Sequence, residues 1–230
     1  MSTKTIETIG QKYDVKKLIM LALFVALAYS SLFVCHLKLQ FLSFEPKDAL
    51  IIISAFMYGP LSGVLVAVTT SLIEMLTIST TGLYGLVMNI AGSATLAAVA
   101  GFIYKYKRTV LGAVISLVTA VAVMTTVMVV TNIIITPIYM GAPRQAVIDL
   151  IAPLLIPFNI VKGVFNASLT MILYKPFVTA LRAAGMLPKG SAAAKPGKNS
   201  FIIMIAAAIV VVATLLYFLF VLEGAVSWGK

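Results

Sequence analysis

The apolar and polar positions of the chain alternate on a coarse scale, with long apolar runs separated by short polar or Gly/Pro-containing stretches. A helix that crosses a bilayer needs roughly 20 mostly apolar residues. Runs of this kind cover 18–34, 61–78, 83–104, 110–135, 151–173 and 201–222, and a shorter one covers 49–57. The "YGP" triplet at 58–60 separates the second run from the third, and Pro137 closes the fifth. Pro153 and Pro157 stand near the start of the sixth. Transmembrane β-strands would show short alternating segments instead. The pattern therefore predicts an all-α, polytopic membrane helical bundle. A cytoplasmic N-terminal segment at 1–17 leads into a six-helix membrane domain at 18–182. A cytoplasmic linker at 183–200, which includes "PKGSAAAKPGKNS", then precedes an additional transmembrane helix at 201–222.

Composition supports this class. The chain is 61% hydrophobic and 10% charged, with a mean hydropathy of +1.09, against about 25% charged residues in a typical soluble domain. The net charge of +10 changes the picture only through its distribution. Lys4, Lys12, Lys16 and Lys17 precede the first run, Lys105, Lys107 and Arg108 follow the fourth, and Lys175, Arg182, Lys189, Lys195 and Lys198 follow the sixth. With the N-terminus inside, strict alternation of the spans keeps all three clusters in the cytoplasm, as the positive-inside rule requires. The basic charge is thus spent on orientation, and no nucleic-acid partner is expected. By the same alternation Glu45, Asp48, Glu74, Asp149 and Glu223 fall at or near the outer edge. The expected location is the cell membrane, with several passes. No cleaved leader is expected, because the first apolar run follows a polar stretch and lacks a convincing small-residue cleavage pattern.

Within the spans the informative residues are polar. Asn159, Lys162 and Asn166 lie at i, i+3 and i+7 of the sixth run and share one helical face. A charge in hydrocarbon costs several kcal/mol unless it is paired, snorkels or is functional. Two destinations are open for Lys162: the outer headgroups, or a polar cavity that also takes the two amides. Asn132 and Thr136 near the outer end of the fifth run, Glu74 in the third and the apolar external loop "LQFLSFEPKD" gather on the same side. Together they predict an outward-facing cavity with apolar walls, a few amides and one ammonium, suited to a small, flat, partly polar ligand. Asn89 reads instead as an interhelical hydrogen-bond group.

Other chemistries lack their residues. The chain has one cysteine, Cys35, and one histidine, His36, too few for a disulfide framework, a Cys/His metal site or a Ser/His/Asp set. It contains no G-x-x-x-x-G-K-[ST] or H-E-x-x-H motif. No enzyme activity, cofactor or metal is expected, and the chain reads as a binder driven by something else. Ala22 and Ala26, four residues apart in the first run, would let a partner helix approach closely.

These residues carry a family resemblance. "ALFVA" at 22–26 resembles the Ala-x-x-x-Ala motif of the substrate-binding S components of energy-coupling factor (ECF) vitamin transporters. "PFNIVKG" at 157–163 is similar to the last-helix motif of the riboflavin-specific members, and "NIIITPIYMG" at 132–141 to the matching end of their fifth helix. The resemblance implies a six-helix bundle that captures a vitamin under the loop after helix one. It implies partnership with a transmembrane coupling subunit and two ATPase subunits, with toppling of the S component in the bilayer as the transport step. Carried over, Asn132, Asn159 and Lys162 would hydrogen-bond riboflavin, Leu39 and Phe41 would cover its ring, and Ala22 and Ala26 would face the coupling subunit. The run "FEPKDAL" departs from the usual loop: its Glu45, Lys47 and Asp48 would reshape the pocket for another ligand, and Glu45 joins the candidate binding residues. The expected function is capture of riboflavin for an ECF importer. The alternatives are an S component for another vitamin or nucleobase-like compound, a stand-alone secondary carrier, or a structural membrane subunit.

Overall fold

The computed structural model describes residues 3–34, 37–39, 42–183 and 200–222. Helix α1 spans Thr3–Ser31 and is followed by a two-stranded antiparallel hairpin, β1 Leu37–Leu39 and β2 Leu42–Phe44. Leu37 faces Phe44 and Leu39 faces Leu42 in its register. Then come α2 Lys47–Tyr58, α3 Pro60–Thr77, α4 Gly82–Tyr106 and α5 Val110–Met140. A short α6, Arg144–Asp149, and a π-helical turn, Ile151–Leu155, lead into α7, Ile156–Ala183. Helix α8, Ser200–Tyr217, ends in a second π-helical turn, Phe218–Leu222. The expected linker 183–200 and the loop residue Phe41 lie almost wholly outside the described residues.

Among the described residues, five segments are long and apolar enough to cross a membrane: Pro60–Thr77, Gly82–Tyr106, Val110–Met140, Ile151–Ala183 and Met204–Val221. Two sequence boundaries move. The helix expected to begin at 18 begins at Thr3, because the Lys-, Glu- and Gln-containing stretch before it favours helix as well. The helix expected to close at Pro137 runs one turn further and ends at Gly141, whose φ of 61° suits a glycine C-cap. Pro137 lies inside this helix, where its missing N–H deprives the carbonyl four residues back of its amide partner.

Helix α2 forms the centre. Every residue from Lys47 to Phe56 is buried, and α1, α3, α4 and α7 surround it. Its 12 residues reach about 18 Å, short of a hydrocarbon core of about 30 Å, so α2 is a half-span introduced by the hairpin. Gly59, at φ 95°, permits the sharp turn that places Pro60 at the first position of α3. Close packing around α2 depends on two further glycines. A Cβ on Gly63 would lie 2.5 Å from the Ala55 Cβ, and one on Gly101 would lie 3.0 Å from both Ala55 and Pro60.

The surrounding helices bury small and polar faces and turn their large aliphatic residues outward. In α3, Ser62, Gly63, Val66, Ala67, Thr70, Ser71 and Glu74 are buried, while Leu61, Leu65, Leu72 and Leu76 are exposed. This is the arrangement expected where lipid is as apolar as leucine and helices associate through close packing. Helix α8 has Ile202 and Ile209 exposed, as is Phe220 in the turn that follows, and α8 packs chiefly on α7.

Candidate functional site

At the end of the bundle that carries the hairpin, a cavity opens between β2, α2, α3, α4, α5 and α7. Its apolar wall includes Leu42, Met88, Leu96, Met124, Met128 and Phe158. Its polar groups are Asp48 on α2, Glu74 on α3, Asn89 and Ser93 on α4, Thr136 on α5, and Asn159 and Lys162 on α7. Tyr84 and Tyr139, both partly exposed with ring centroids 5.8 Å apart, line the side where α4 begins and α5 ends.

The polar face of α7 divides into two functions. Asn159 and Lys162 line the cavity. The Lys162 ammonium donates to the Ser43 carbonyl at 2.9 Å and so ties α7 to the hairpin. Asn159 donates to the Leu155 carbonyl at 2.7 Å, which leaves its own carbonyl oxygen for another partner. Lys162 therefore points into the protein's polar site and does not snorkel to the headgroups. Asn166 is wholly buried and acts as a clamp. Its Oδ1 accepts from the Ala49 amide at 2.9 Å, and its Nδ2 donates to the Glu45 carbonyl at 2.9 Å. Thr170 adds a longer bond to the Ala49 carbonyl. The start of α2, which lacks a side-chain cap of its own, is thus held by the middle of α7.

Two expected binding residues are placed differently from the sequence reading. Asn132 is fully buried but does not line the cavity; it donates to the Met128 carbonyl and accepts from Thr136. Thr136, one turn along, reaches the cavity surface instead. Glu45 is also fully buried and does not line the cavity; it pairs with Lys47 at 2.8 Å. A second charged partner explains its position: the Lys47 ammonium also contacts Glu74, which accepts from Asn89 at 2.9 Å. Two of the carboxylates expected at the edge, Glu45 and Glu74, are therefore gathered around a buried lysine, because a buried ammonium is tolerated only when paired and hydrogen-bonded. Asp48 joins them and accepts from Ser93. Leu39 sits in β1, paired through its backbone with Leu42.

Asn89 and Ser93 are the main residues that sequence reasoning did not assign to the cavity wall. A signal for the α4 wall was present. Gly85, Met88, Asn89, Gly92, Ser93 and Leu96 recur at helical spacing and all line the cavity. The hairpin was legible too, in the alternation of "LKLQ" before the turn.

On α1, Ala22 and Ala26 are both exposed, as are Leu18 and Ser30 on the same stripe, while Phe24, Val25 and Ala28 face the core. The small residues are thus available to a neighbour and are not consumed by packing within the bundle.

No curated protein sequence matches this chain closely enough to name a relative. A solved structure, that of the S component of a bacterial ECF transporter, matches with a TM-score of 0.63 at 26% sequence identity, covering 74% of this chain and 99% of that one. Residues 16–174 match the family described as ECF transporter, substrate-specific component. With the helical bundle and its cavity beneath the hairpin, that match places the chain in this family, as a multi-pass membrane protein that is the substrate-binding subunit of a transporter and not an enzyme.

Proposed function

We propose that the cavity faces the outside of the cell and captures riboflavin, with the N-terminus and the basic clusters in the cytoplasm. A coupling subunit and two ATPase subunits then drive its release inward. The observation that carries this reading is the convergence of Asn159 and Lys162, from the "PFNIVKG" segment, on one cavity beneath the hairpin. A flavin is flat, apolar over most of its faces, and carries carbonyl and ring-nitrogen acceptors along one edge. Lys162 and Asn159 supply donors for such an edge. Phe158, Leu42 and the three methionines supply an apolar, adaptable surface for the ring faces. Asp48, Glu74 and Ser93 offer acceptors to a chain of hydroxyl groups.

A second reading is favoured by one feature. The five charged groups around the site comprise three carboxylates, Glu45, Asp48 and Glu74, and two ammonium groups, Lys47 and Lys162. An excess of acceptors of this kind also suits another vitamin or a nucleobase-like compound that bears more donors or a positive charge.

Titration of the detergent-solubilised protein into riboflavin separates the two. Quenching of flavin fluorescence at submicromolar protein is the expected result. A folded sample that leaves the fluorescence unchanged rules out riboflavin, and mass spectrometry of the co-purified small molecule then identifies the ligand.

A further inference from the structure

The family match ends at residue 174, and α8 lies beyond it. Most of α8 faces outward, yet one side chain near its end does not. Phe218, at the start of the second π-helical turn, is 2% exposed. Its ring centroid lies 4.7 Å from that of Phe44 in β2 and 6.2 Å from that of Phe158 on α7. Phe44 is itself wholly buried, with Phe165 on another side at 4.7 Å. Val211 and Leu215, earlier on α8, pack against the same group. The other two residues of β2, Leu42 and Ser43, line the cavity, as does Phe158.

We infer that α8 is a clasp for the hairpin that covers the binding site, with Phe218 as the positioning residue that acts through Phe44 and Phe158. Four side-chain contacts then hold β2: the Lys162 bond to Ser43 and the Phe158, Phe165 and Phe218 rings on Phe44. The first three come from α7 and the fourth from outside the six-helix unit. Aromatic pairs of this kind contribute beyond simple area burial, about 0.5–1.5 kcal/mol each. Loss of one such pair raises the open population of the hairpin by about two- to tenfold. A hairpin of two three-residue strands has little stability of its own, so its closure is set by these neighbours. The consequence for transport is retention: α8 slows the escape of a captured molecule without touching it.

The test uses the full chain. Hydrogen exchange is measured on peptides covering 37–44 in the ligand-free wild type, Phe218→Ala and Phe218→Leu. The expected result is several-fold faster exchange in Phe218→Ala, confined to the hairpin, and partial restoration in Phe218→Leu. Unchanged hairpin exchange overturns the inference, as does an increase spread equally over α2, α3 and α4, which would mean a general loss of packing. If Phe218→Ala does not fold, Phe218→Leu decides on the same criteria. This readout needs no ligand. A second arm rests on the riboflavin reading: Phe218→Ala speeds riboflavin dissociation several-fold with a nearly unchanged association rate, and equal dissociation rates overturn the retention role. Failure of the wild type to bind riboflavin removes the flavin assignment, while the exchange result still decides the clasp.

Discussion

At the scale of single residues, two lysines in the same region have opposite duties. Lys162 lines the cavity and holds the hairpin by one bond. Its replacement by Met removes a charged hydrogen bond, which contributes about 1.5–3 kcal/mol, so riboflavin affinity is expected to fall about 10- to 100-fold while the protein stays folded. Fluorescence titration of Lys162→Met measures this, and an unchanged affinity would remove Lys162 from the binding set. Lys47 instead sits wholly inside, between Glu45 and Glu74. Lys47→Met leaves both carboxylates uncompensated and is expected to cost about 3–5 kcal/mol of stability. Thermal unfolding in detergent reads the loss, and adding Glu74→Gln should recover part of it. The sequence marked Lys162 clearly, since a stripe of amine and amides in an apolar run has few places to go. Asn132 and Glu45 lie outside the cavity wall because neighbours take them up first, Met128 and Thr136 in one case and Lys47 in the other, and the sequence does not show such neighbours.

At the scale of elements, most of the secondary structure was legible from apolar run length and from the Gly/Pro breaks. What remained hidden was the role of α2. The short run 49–57 reads as a weak span, yet α2 is the most buried helix because α1, α3, α4 and α7 all lean on it. Helix α1 shows the reverse case, since its small-residue stripe stays exposed. If that stripe receives the coupling subunit, Ala26→Trp abolishes uptake in cells that contain the complete transporter and leaves riboflavin binding by the isolated protein intact. Measuring both on the same variant separates docking from capture, and normal uptake would move the docking site elsewhere.

At the scale of the whole molecule, the direction of successive helices places the hairpin, the α3–α4 turn and the end of α8 at one end. The basic α4–α5 turn, with Lys107 and Arg108, must then lie at the other. In a Cys35→Ser background, an impermeant maleimide is expected to label Thr80→Cys in intact cells and Thr109→Cys only after permeabilisation. The reverse pattern would invert the proposed orientation. Charge distribution carried this much of the architecture in the sequence. The inside-out packing of α3 was not legible, because leucines facing lipid and leucines facing a core give the same periodicity.

The double tie that Asn166 makes to Glu45 and Ala49 fixes the root of the hairpin to the middle of the bundle. Were β1 and β2 to part from the cavity, a root held in this way would leave a narrow slit and not a wide mouth. A planar guest passes such a slit edge-on, like a coin, whereas a globular molecule of equal volume is turned away before any polar group is consulted. Selection by thickness would thus precede selection by hydrogen bonding.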